Sequence, residues 1–319
     1  MIGMMTLLEA VVQSAQKAGP PVAPGGPGGP EPGFSTIKAI TELVQFIGYF
    51  LAVGAVGFRF GVVRRTRGMS DEAKAILRAD NAAMLGVLGI LLLLVATLSG
   101  PFLQSVTQHK TFAASLPKNP GPFEFKLAML TLALVGFALI RATPSLGWAL
   151  AGLGVLLTVL QPLYTGKLAG KVNAVHILAA STWLGTLLVL TVIGIRGVIR
   201  SSSAGQQRAA LVGDLVNSFS PLALTAAMIV GITGVTTAWL HLKRISSLYT
   251  TSYGLALVVK LILVGIVIAL GAWNWKRVRP SLGGEGTELT IRRSATMELA
   301  FAALVLIATS VLVTLPSPR

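Results

Sequence analysis

Eight separate stretches of this chain are long and apolar enough to cross a lipid bilayer, and this constrains the fold more than any other feature of the sequence. A spanning helix needs about 20 mostly apolar residues, because the hydrocarbon core is roughly 30 Å thick and each residue rises about 1.5 Å. The stretches are 37–63, 82–100, 123–140, 145–164, 172–195, 217–240, 253–275 and 295–315. The first is the least clean, with Lys38, Glu42 and Arg59 near its ends; Lys260 and Glu298 are the single charges in the last two. Backbone polar groups inside a bilayer must pair within their own segment, so such stretches form helices. The predicted fold is an all-α membrane protein, a polytopic bundle of about eight transmembrane helices in direct contact with the lipid bilayer.

Composition narrows the function. Of 319 residues, 53% are hydrophobic and 12% charged, against about 25% charged in a soluble domain. An ordinary soluble enzyme and a disordered chain are both excluded. Cysteine is absent, which removes disulfides, thiolate zinc sites, iron–sulfur clusters and thiol nucleophiles. The three histidines, His109, His176 and His241, are too few for a two-haem cytochrome with four histidine ligands. No nucleophile, base and acid are set out together, so no enzyme is predicted. Glycine strings such as "GVLGILL" and "GLGVLL" follow no strand and read as helix-packing positions, not phosphate loops. The net charge of +15 is assigned to loops on one side of a membrane and not to nucleic acid.

Three regions follow. Residues 1–35 form a flexible Gly/Pro-rich arm, with "GPPVAPGGPGGPEPG" at 19–33 unable to make a helix or a core. Its first 18 residues lack a basic start and read as a short interfacial helix, not a signal peptide. Residues 36–165 carry helices one to four, and 166–319 helices five to eight. Fourteen of the 26 basic residues fall in the loops after helices one, three, five and seven, and nine on the other side. Positive charge favours the cytoplasm, so both termini are expected outside. All three histidines then fall at the outer face, as do Met1, Met4 and Met5.

Four strings in the second half resemble the copper resistance protein D family (CopD/PcoD-type inner-membrane proteins). "NAVHILAASTWLGTLLVL" is similar to the family's His-x-x-Ala-Ala-x-x-Trp-x-Gly helix, with His176, Ala179, Ala180, Trp183 and Gly185. "FSPLALTAAMIVGITGV" resembles its Phe-Ser helix with a downstream Thr-Gly, here Thr233–Gly234. The segment 249–280 carries a Tyr-Gly, Lys, Asn pattern at Tyr253, Gly254, Lys260 and Asn274. The segment 291–318 resembles the closing helix, with Arg293, Glu298 and Pro316. Family members often carry a histidine in helix one, where this chain has Gln45, and a Gly-His near the end of helix four, where it has Gly166–Lys167. The resemblance implies copper bound at the outer face of a bacterial inner membrane and moved across it or handed to a partner. The implied partners are a periplasmic copper carrier or a larger membrane complex. Two alternatives stand beside it: a structural or assembly subunit that has lost copper handling, and a one-haem b-type electron carrier using His176 and His241.

Each candidate residue has two readings. His176, one turn into helix five, is either a copper ligand, since imidazole suits copper, or a packed histidine bonded to a neighbour. His241 is an interfacial residue or a second ligand; His109 is a solvated loop residue or a third. Lys260 either snorkels to the outer face or finds an interior partner. Asn274 and Glu298 lie at one depth and either bond each other, fixing helix seven to helix eight, or serve as an exit ligand or proton-coupled group. The tryptophans are expected as interface anchors, Met84, Met129, Met228 and Met297 as scattered core residues, and Asp71, Glu72, Asp80 and Asp214 as helix caps.

Overall fold

A computed structural model describes residues 35–64, 79–200, 205–242, 244–274, 276 and 287–316. The N-terminal arm with its methionines, Asp71, Glu72 and Trp275 lie outside them. Among the described residues there is no strand, and eight helices are long and apolar enough to span a membrane. They are α1 (Thr36–Val63), α2 (Asn81–Thr107), α3 (Pro120–Leu139), α4 (Pro144–Thr165), α5 (Leu168–Arg200), α6 (Gln207–Leu242), α7 (Ser252–Trp273) and α8 (Leu289–Leu312).

Local chemistry sets several helix ends. The Ser35 hydroxyl accepts from the Lys38 amide at 3.3 Å, and the Thr251 hydroxyl accepts from the Gly254 amide at 3.0 Å, capping α1 and α7. Proline in the first turn opens α3 and α4, where its missing N–H is no loss. Within the helices, hydroxyls turn back on their own chain. Thr158 donates to the Gly154 carbonyl at 2.8 Å and Thr191 to the Leu187 carbonyl at 2.7 Å, so these polar groups enter apolar surroundings already paired.

α1 is the centre of the bundle, packed against α2, α4, α5 and α8, while α3 pairs with α4 and α7 with α8. At the α1–α5 crossing Gly54 and Gly185 face each other, and a Cβ on either would overlap the opposing backbone. Small residues of this kind let helices approach closely when lipid supplies no hydrophobic driving force between them. The same two helices leave the regular α pattern. Phe58–Val63 in α1 and the segments Ser181–Gly185 and Leu190–Ile195 in α5 are π-helical, a wider turn often found at functional sites. Both α2 and α6 continue through an internal proline, Pro101 and Pro221.

The structure corrects several expectations. Trp148 is not an interface anchor: it is buried, edge-on to Phe60 at 6.5 Å and to Phe137 at 5.8 Å, joining α1, α3 and α4. Trp183 is likewise buried within α5, whereas Trp239 and Trp273 are exposed near helix ends as expected. Met84, Met228 and Met297 are not core residues but lie exposed on the bundle's outer surface. Asp214 caps nothing, because α6 begins several residues before it and carries it mid-helix on an exposed face. The spans also overrun their predicted ends, with α2 reaching Thr107 and α6 starting at Gln207.

Candidate functional site

α5 starts at Leu168, so His176 lies eight residues in, or about 12 Å along the helix and two turns, not one, from its start. Its Nδ1 is 2.9 Å from the Thr233 hydroxyl on α6. That hydroxyl also sits 2.6 Å from the Ile229 carbonyl. A carbonyl only accepts, so the Thr233 proton goes to Ile229 and the Thr233 lone pair faces the ring. By this network the Nδ1–H of His176 donates to Thr233. Gly234 makes room for the ring: a Cβ there would sit 3.3 Å from the His176 Cε1. Half-buried Lys260 on α7 is close enough for its charge to act on His176. Histidine and threonine from two helices thus meet, within electrostatic range of a lysine on a third.

One ladder on α6 leads from this point to the helix end. The Thr237 hydroxyl donates to the Thr233 carbonyl at 2.8 Å, and His241 Nδ1 lies 2.8 Å from the Thr237 carbonyl. A carbonyl only accepts, so Nδ1 of His241 carries a proton as well. Its ring stacks on Tyr253 at the start of α7, with centroids 6.2 Å apart and planes at 18°. His176 and His241 share the ladder but are separated along it by eight residues, about 12 Å. His109 is exposed in the loop after α2, with a left-handed backbone at φ 49°, a region in which histidine is enriched. Among the described residues no three His, Asp or Glu side chains gather in a group that could hold a metal ion.

A second polar group lies at the opposite end of α7. Asn274 Nδ2 donates to Glu298 Oε2 at 3.3 Å, and the Ser294 hydroxyl donates to Asn274 Oδ1. The expected tie between helices seven and eight is present, with Ser294 as an additional member. Lys260 takes no part in it.

A third group was not legible as a site. Lys126 on α3 donates to Gln45 Oε1 on α1 at 3.1 Å, and the charges of Lys38 and Lys126 both act on Glu42. The only sequence signal was charge close to the start of two apolar runs. Thr233 was missed as the partner of His176, although its four-residue spacing to Thr237 and His241 marks a polar stripe on one helix face.

Comparison with known proteins bears on these helices. Residues 213–312 match the family model for copper resistance protein D (CopD). The chain is 31% identical over 143 residues to the copper transport protein CutJ of Bacillus subtilis (strain 168), a stretch covering 45% of this chain and 24% of that protein. The match thus spans about a quarter of the length of that curated relative. No solved structure matches the chain. Over α6 to α8, the helices that carry Thr233, Lys260 and Glu298, this multi-pass membrane protein is similar to the copper resistance protein D family.

Proposed function

We propose that the protein binds copper as cargo at His176, from the outer side of a bacterial inner membrane, and passes it across or to a partner. One observation carries the reading. His176 is held by Thr233 through Nδ1, which leaves Nε2 as the nitrogen to meet a metal. Metal-binding histidines are oriented this way, by a hydrogen bond from the nitrogen that does not bind. Imidazole is also a suitable copper ligand.

The sparse ligand set fits transit better than storage. His176 is one donor, His241 stands further along the same ladder, and the Lys260 charge opposes long residence of a second cation. His241 and His109 are the residues that would take copper first from a periplasmic carrier. The excess of Lys and Arg in alternate loops supports the orientation with both termini outside. The reaction is movement of an ion, with no bond-making step assigned to the protein.

The test is Cu(I) competition with a chromogenic chelator, using purified wild type and His176→Ala. The expected result is about one copper in the wild type and a loss of at least about 100-fold in affinity in the variant, or about 2.7 kcal/mol. Equal binding by the two proteins sinks the proposal. A second reading, that of an assembly subunit without copper handling, draws on the Lys126–Gln45 pair. Here a lysine and an amide stand where family members often place a helix-one histidine. A stoichiometric partner surviving mild-detergent purification, together with no copper binding, favours that reading.

A further inference from the structure

We propose that Glu298 is a proton-binding site, taking a proton from water at the Asn274 end of α7 and returning it there, and that this exchange accompanies copper passage. Glu298 is 5% exposed. It lies five residues deeper in α8 than exposed Arg293, about 7 Å along the axis. Its Oε2 accepts from Asn274, whose Oδ1 accepts from Ser294, and both of these side chains are half-buried. The result is a directed line of hydrogen bonds from the helix ends to the buried acid. Beside Oε1 stands Gly271, which sets no side chain against that oxygen.

The partner seen at the acid is uncharged. The helices around α8 carry Arg59 and Arg64 on α1, Arg196 and Arg200 on α5, Arg208 and Asp214 on α6 and Lys260 on α7; α8 itself carries Arg292 and Arg293. The side chain that hydrogen-bonds Glu298 is the neutral amide of Asn274. A carboxyl at this depth without a cation is costly and marks function by default in a membrane protein. The ligand chemistry selects the proton. Hard metal ions need about six oxygens or more, copper prefers nitrogen and sulfur, and the Asn274 N–H turned toward the acid repels any cation. A proton adds one O–H bond and leaves the Asn274 bond in place, because an amide donates equally to a carboxylate or to the carbonyl oxygen of an acid. Water supplies and receives the proton, and nothing is oxidised or reduced.

Proton uptake at Glu298 stands alone, whereas its coupling to copper rests on the function proposed above. The test is infrared difference spectroscopy of the full chain in lipid between acidic and alkaline buffer. The wild type is expected to show a protonated-carboxyl band that is lost in Glu298→Gln, retained in Glu298→Asp, and moved in its midpoint pH by Asn274→Leu. Identical spectra for wild type and folded Glu298→Gln overturn the proposal. In liposomes, the rate of copper passage by wild type is expected to vary with the pH on the Asn274 side, and that of Glu298→Gln is not, with Cu(I) affinity unchanged. Copper flux in the wild type that ignores that pH overturns the coupling. A Glu298 band in a protein that binds no copper overturns the copper reading alone.

Discussion

The α1–α5 pair and the α6–α7 pair are both apolar and both able to span a bilayer, yet they are packed in opposite ways. In the most apolar windows of α1 and α5, 61% of residues are buried; in those of α6 and α7 the shares are 17% and 22%. The first pair is closed by glycine against glycine. The second meets its neighbours through hydroxyl, imidazole, ammonium and amide groups, and leaves Ile232, Val235, Trp239 and Ile262 exposed. The first pair is joined through small residues; the second turns polar side chains to its inner edge, where Thr233 meets His176 of α5 and Asn274 meets Glu298 of α8. In a soluble protein the less buried helices would be the polar ones. In a bilayer, lipid-facing and protein-facing surfaces are equally apolar, so the distinction lies in small residues and in the few polar ones.

Substitution at each pair should separate the two roles. The largest effect is expected for Gly185→Leu, whose side chain has no space against the Phe50 backbone. Overpacking of this kind costs about 3 kcal/mol and should lower the thermal unfolding midpoint in detergent, while copper affinity per folded molecule is unchanged. If this variant melts like wild type, the contrast between the pairs is wrong. Next is Thr233→Val, which keeps the shape and removes the acceptor for His176 Nδ1. Loss of such an outer partner lowers metal affinity about 10–100-fold, with no change in melting. Thr233→Ser should restore binding, and a wild-type affinity in the valine variant removes Thr233 from the site. The smallest effect belongs to Gln45→Leu, which breaks one bond to Lys126. Hydrogen bonds between membrane helices contribute about 0.6 kcal/mol on average, so stability should fall slightly and copper binding stay as it was. A large gain or loss of copper binding would move this pair from scaffold to site.

Class and span number were legible in the sequence because length and hydropathy alone decide whether a segment can cross a bilayer. Helix ends were less so. α6 begins at Gln207 because the helix continues past the apolar run. The Asn274–Glu298 bond was legible because two polar residues at one depth in apolar helices have few alternatives to each other. The Thr233–His176 bond was hidden, since a threonine in a membrane helix satisfies itself on its own carbonyls, as Thr233 also does with Ile229. Trp148 misled because proximity to a span end suggests an interfacial belt, while the ring in fact turns inward between Phe60 and Phe137.

The contact of Gly54 with Gly185 has a kinematic consequence. Two helices that touch backbone to backbone have no side chains between them to re-pack, and sliding one past the other would drive a carbonyl into a Cα. α1 and α5 therefore act as one lever arm. Any rocking that opens this protein first to one side and then to the other has its fulcrum there. The travel must be taken up by α6, where Pro221 removes a rung of the helix ladder, and by α7, which leans mainly on α8. In such a stroke His176 would stand on the fixed arm and Thr233 on the moving one, so their hydrogen bond would be broken and remade.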